Sequence, residues 1–96
     1  MSDKHTHSFK DAFGKFLKEE HLDVAYKQKL LIDSWERIMG RPIAARTTKM
    51  YFRGKALFVE LSSAALKEEL NRSQEAVLAR LEEQMGERVA EEVRFL

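Results

Sequence analysis

The chain has 96 residues, of which 44% are hydrophobic, enough for one domain and with no room for a second core. It holds no cysteine, which excludes disulfide staples and thiolate metal sites, and no apolar run approaches the roughly 20 residues that a membrane-crossing helix needs. The net charge is only +1, but residues 1–59 carry twelve Lys/Arg against seven Asp/Glu, whereas residues 60–96 carry five against nine. Such an asymmetry bears on partners and not on fold.

Residues 1–7 are polar, contain no apolar run of the signal-peptide kind, and read as a flexible tail. Residues 8–96 read as a single domain with a cytoplasmic setting. Ser8 is placed to cap a first helix, with Asp11 in its first turn and Phe9, Ala12, Phe13, Phe16 and Leu17 recurring at helical spacing. Asp23 caps a second helix, whose buried face is expected to include Val24, Leu31, Trp35 and Ile38. Gly40 ends it, with Pro42 just beyond.

The period then changes from helical to alternating. The stretches from Arg46 to Phe52 and from Ala56 to Leu61 form a hairpin around a two-residue Gly54-Lys55 turn. That turn sets Phe52 opposite Leu57, Met50 opposite Val59 and Thr48 opposite Leu61. Met50, Phe52, Leu57, Val59 and Leu61 share the core face, and Lys49, Tyr51, Arg53, Phe58 and Glu60 share the other.

Ser62 or Ser63 caps a long third helix running to about Met85, with Leu66, Leu70, Val77, Leu78, Leu81 and Met85 on its buried side and Gly86 at its end. Val93 and Phe95, two apart, mark a C-terminal strand within residues 89–96. The long helix gives that strand a path back to the hairpin. The fold class is α+β: two N-terminal helices, a hairpin, a long helix and a final strand in one small sheet.

Little in this order supports catalysis. His5 and His7 lie in the tail without the further ligands a structural zinc requires, and His21 sits at a turn between helices. Ser62-Ser63 is explained as a helix cap. The four glycines are scattered, with no phosphate-cradling loop among them. Glu68-Glu69, Glu82-Glu83 and Glu91-Glu92 read as solvated faces rather than acid–base pairs. No enzyme activity, cofactor, metal site or small-molecule substrate is expected.

The most informative feature is the stretch from Gly40 to Val59, which contains five cations and no acid. Arg41, Arg46, Lys49, Arg53 and Lys55, together with Tyr51, are the candidate nucleic-acid-binding residues. Cations neutralise phosphates and release counterions, and an aromatic ring among them offers a base a surface to stack on. The competing reading is that Tyr51 and Phe58 are an ordinary cross-strand pair amid solubilising charge. The Phe-rich first helix, flanked by Lys10, Lys15 and Lys18, has the composition of a partner- or membrane-docking helix. In so short a chain it is expected to pack on the domain itself.

Trp35-x-x-Ile38-x-Gly40-x-x-Ile43-Ala44, then Gly54-x-x-Leu57-x-Val59, then Ser62-Ser63 with Leu66 and Leu70, and finally Val93-Arg94-Phe95, together resemble the DciA family of bacterial proteins. The resemblance implies a KH-like domain, a role in starting DNA replication, and two partners. One is the replicative helicase DnaB. The other is DNA, with the single strand as a form that the aromatic pattern suits. Arg46 and Thr47 stand near where many members carry a histidine after the Ile-Ala pair, and Ala65-Leu66 where many carry a tryptophan. The Gly-x-x-Gly loop of RNA-gripping KH domains is missing.

The expected function is therefore a non-catalytic replication accessory factor that contacts the helicase and touches DNA through the basic hairpin. The alternative is a protein-interaction adaptor without nucleic-acid binding. It draws on the acidic third helix with Glu68, Glu69, Glu75, Glu82 and Glu83, which repels DNA and suits a basic partner.

Overall fold

The structure, a computed structural model, describes residues 23–96. The expected tail and first helix, with their apolar stripe, lie outside the described residues. From Asp23 onward the order is α1 (Val24–Asp33), α2 (Trp35–Met39), α3 (Arg41–Ala45), β1 (Thr47–Arg53), β2 (Ala56–Leu61), α4 (Ala64–Asn71), α5 (Gln74–Met85) and β3 (Glu92–Phe95). The strands form one sheet in the order β1-β2-β3, with β1 and β2 antiparallel and β3 parallel to β2. This is the mixed α+β arrangement that the sequence predicts.

Asp23 caps α1 as expected, its Oδ1 accepting from the Tyr26 N–H at 2.8 Å. Two details of the second helix differ. It is interrupted at Ser34, which closes α1 and opens α2, and Val24 is 55% exposed instead of buried. Leu31, Trp35 and Ile38 do reach the core. Gly40, at φ +95°, ends α2 as expected. Pro42 does not simply stop the helix, however: it stands in the first turn of α3, where its missing N–H has no intrahelical carbonyl to lose. The free carbonyl of Ile38 at the end of α2 is met from across the fold by the Arg80 guanidinium, Nε to O 2.7 Å.

The expected long helix is broken at Arg72–Ser73 into α4 and α5. Ser63 is the N-cap, accepting from the Leu66 N–H at 3.2 Å, and Gly86 takes the left-handed conformation that closes α5. The break falls beside Asn71. Its side-chain amide donates to the Phe95 carbonyl at 2.7 Å, and its oxygen accepts from the Phe95 N–H at 3.0 Å. One side chain thus pairs both main-chain groups of Phe95, as a neighbouring strand would.

The core lies between the helices and one face of the sheet. Leu31, Ile38, Leu57, Val59, Leu81, Met85 and Val93 are its fully buried side chains, with Trp35 and Phe95 packed among them at 6.4 Å between ring centroids. Met50, Phe52, Leu61 and Leu66 are half-buried against this cluster, so the core face of the hairpin is the one expected.

Candidate nucleic-acid interface

The hairpin turns at Gly54-Lys55, where Gly54 adopts φ +62°, a conformation that costs a residue with a Cβ about 1 kcal/mol or more. From the turn the register runs Arg53 opposite Ala56, Phe52 opposite Leu57, Tyr51 opposite Phe58, Met50 opposite Val59 and Lys49 opposite Glu60. It then slips, and Leu61 pairs with Thr47 instead of the expected Thr48.

The reason for the slip is the indole of Trp35. A buried indole N–H needs an acceptor, and it donates to Thr47 Oγ1 at 3.0 Å, while the Thr47 hydroxyl donates to the Ile43 carbonyl at 2.8 Å. In a regular strand Thr47 would share a face with Lys49, Tyr51 and Arg53. The extra residue, Thr48, lets Thr47 turn inward while the following three stay outward. Thr48 is exposed, and its hydroxyl donates to the Glu60 carbonyl at 3.1 Å.

Three of the six sequence-predicted residues, Lys49, Tyr51 and Arg53, therefore stand together on the sheet face opposite the core. The Tyr51 and Phe58 rings stack at 5.4 Å between centroids with 8° between their planes, and the Lys49 ammonium lies 5.3 Å from the Tyr51 ring centre. Both rings are half-buried, and Lys49 and Arg53 are exposed.

The other three are dispersed. Arg46 is exposed at the far end of β1 from the turn. Lys55 is in the turn, 3.6 Å from the Glu91 carboxylate. Arg41 lies on α3 and is paired with Glu36 at 3.3 Å. Of the six, Arg46 and Arg53 have no side-chain partner among the described residues, and they lie just before β1 and at its last residue.

The structure adds Arg94, which the sequence reading did not single out. The parallel pairing of β3 sets Arg94 beside Phe58, on the outer face and exposed. The same register brings in two acids, Glu60 beside Lys49 and Glu92 beside Ala56. The signal for Arg94 was the Val93-x-Phe95 alternation, which already turned the intervening side chain away from the core. Only the register says which hairpin residue it meets.

Among the described residues, no group of three or more His, Asp or Glu side chains is arranged to hold a metal ion, and no helix is long and apolar enough to cross a membrane. Two surface hollows among the described residues, of about 150 and 410 Å³, lie near candidate cations. One of about 150 Å³ is lined by Glu36, Arg41, Ala44 and Ala45, and another, at the hairpin turn, is lined by Arg53, Lys55, Ala56, Glu91 and Glu92. Neither brings the aromatic pair and the cations together. The outer sheet face does.

A family model described as "Dna[CI] antecedent, DciA" matches residues 8–95. No curated protein and no solved structure matches the chain.

Proposed function

The chain belongs to the DciA family, and from that premise we propose that it is an accessory factor of the replicative helicase DnaB that also contacts DNA through the outer face of its hairpin. Members of the family are non-catalytic factors associated with replication. The observation that carries the DNA contact is the grouping of Lys49, Tyr51 and Arg53 on the sheet face turned away from the core, in a stretch of chain without an acid. Cations on such a face neutralise phosphates without disturbing the packing beneath, and the contact belongs in the bacterial cytoplasm, where the chromosome is replicated.

Two measurements test this. Charge reversal of Arg46, Lys49 and Arg53 together is expected to lower affinity for a labelled DNA at low salt by on the order of 100-fold, with an unchanged thermal melt. Affinity untouched by the triple change would remove the hairpin from the contact. For the helicase, tagged protein is used to capture partners from a bacterial lysate with and without nuclease. Recovery of the helicase in both samples supports direct contact, and recovery only without nuclease means that DNA bridges the two.

A second reading, an adaptor without nucleic-acid binding, is favoured by the exposed acids of α4 and α5, Glu68, Glu69, Glu75, Glu82 and Glu83. It requires that no DNA binding be seen even at low salt.

A further inference from the structure

We propose that residues 8–17, the Phe-rich stretch that lies outside the described residues, form an amphipathic helix that docks on this chain's own sheet, over the inner side of β1 beside α1. The surface it covers is a margin where the helical layer stops short. On the inner face of the sheet, Leu57 and Val59 of β2 and Val93 and Phe95 of β3 are at most 2% exposed. Met50 and Phe52 of β1, an edge strand, are only half-buried. Burial thus falls off toward one side of the sheet, and it does so over large apolar side chains, which gain from a further cover.

Two hydrogen bonds place the helix that borders this margin. The Gln28 side-chain amide donates to the Gly54 carbonyl at 2.8 Å, and the Trp35 indole donates to Thr47 Oγ1 at 3.0 Å. Helix α1 and the start of α2 therefore run along β1 in the opposite direction, from the hairpin turn to the first residue of the strand. Ile32, four residues beyond Gln28, is on the same side of α1, half-buried and packed against the core. Ile32, Met50 and Phe52 thereby line an apolar margin between α1 and the edge of the sheet.

The occupant follows from where the chain enters and what it carries. Asp23, the N-cap of α1, lies about 7 Å along the helix axis from Gln28, so the residues before it arrive at the hairpin-turn end of the margin. Residues 18–22 can reach up to about 17 Å, and a helix over residues 8–17 is about 15 Å long against about 23 Å for β1. Phe9, Phe13, Phe16 and Leu17 fall within one stripe about 100° wide, and they include three of the chain's six phenylalanines. A segment on so short a tether also meets its site at an effective concentration in about the millimolar range, which a free partner rarely matches. The proposal stands apart from the DNA contact, since it concerns the opposite face of the sheet.

The test is nuclear magnetic resonance of the full chain. Ring protons of Phe9, Phe13 or Phe16 should show Overhauser contacts to the methyl groups of Ile32 and Met50. In an equal mixture of carbon-labelled and unlabelled protein, filtered to show contacts between copies, these should vanish. Phe13→Ser together with Phe16→Ser should lower the thermal midpoint by about 5–10 °C. The same change should move the Ile32 and Met50 methyl signals while leaving those of Val93, under β3, in place.

If the double variant does not fold, the contacts in the unmodified chain decide alone. Contacts seen only between copies overturn the proposal, because a second molecule then supplies the segment. So does the absence of any ring contact to Ile32 and Met50. Phenylalanine signals that respond only to added vesicles of anionic phospholipid overturn it as well, since they mark the segment as a membrane-docking one.

Discussion

The two faces of the hairpin are made from alternate residues of the same two strands, yet they behave as different materials. On the inner face Leu57 and Val59 are fully buried. On the outer face Tyr51 and Phe58 are half-buried on each other, with exposed cations around them. Close packing makes the inner face intolerant of any change in volume. The outer face contributes through pairwise contacts worth around 1 kcal/mol or less and is correspondingly tolerant of substitution. Alternation along a strand thus separates the packed side chains from the exposed ones at single-residue resolution.

The sharpest way to break that separation is to substitute residues from each face and compare the losses of stability. Leu57→Ala should cost about 2–5 kcal/mol in denaturant unfolding, because a fully buried side chain leaves a cavity that the sheet cannot close. Thr47→Val should cost about 1–3 kcal/mol, since it leaves the buried Trp35 indole N–H without its acceptor. A double-mutant cycle on Tyr51 and Phe58 should give a coupling of about 0.5–1.5 kcal/mol, larger than most surface pairs and well below the core losses. Last, Arg53→Gln should shift stability by no more than about 0.5 kcal/mol, as the side chain is exposed and unpaired among the described residues. A loss at Arg53 as large as that at Leu57 would show that the outer face is structural after all.

The inner and outer sets of the hairpin were legible in the sequence because the Gly54-Lys55 turn fixes the phase and the side-chain period is two. The Thr48 irregularity was not, because its cause is a hydrogen-bond requirement of Trp35, twelve residues away along the chain. Helix ends set by local chemistry were read correctly at Asp23 and Gly86, and of the two serines offered as the cap of α4 it is Ser63 that serves. The breaks at Ser34 and at Arg72–Ser73 were missed because the apolar period continues through both. At the second, Asn71 answers a strand that is distant in sequence and adjacent only in space. The same limit applied to the candidate interface. Lys49, Tyr51 and Arg53 lie in one alternating run and could be grouped from the sequence, whereas Arg94 joins them only through the parallel pairing of β3. Arg41 and Lys55 were drawn in by charge alone, and their acidic partners, Glu36 and Glu91, were not visible in the sequence pattern.

The grip of Asn71 on Phe95 also bears on solubility. A strand edge with open amides is where a foreign strand adds and where fibrous aggregation begins. On the β3 side the two main-chain groups of Phe95 are already occupied by a side chain of the same molecule, which denies an incoming strand its foothold there. On the opposite side, the irregularity at Thr48 and the cations at Lys49 and Arg53 make β1 a poor template for another copy of itself. A sheet of only three strands thereby offers a poor template for strand addition at both margins.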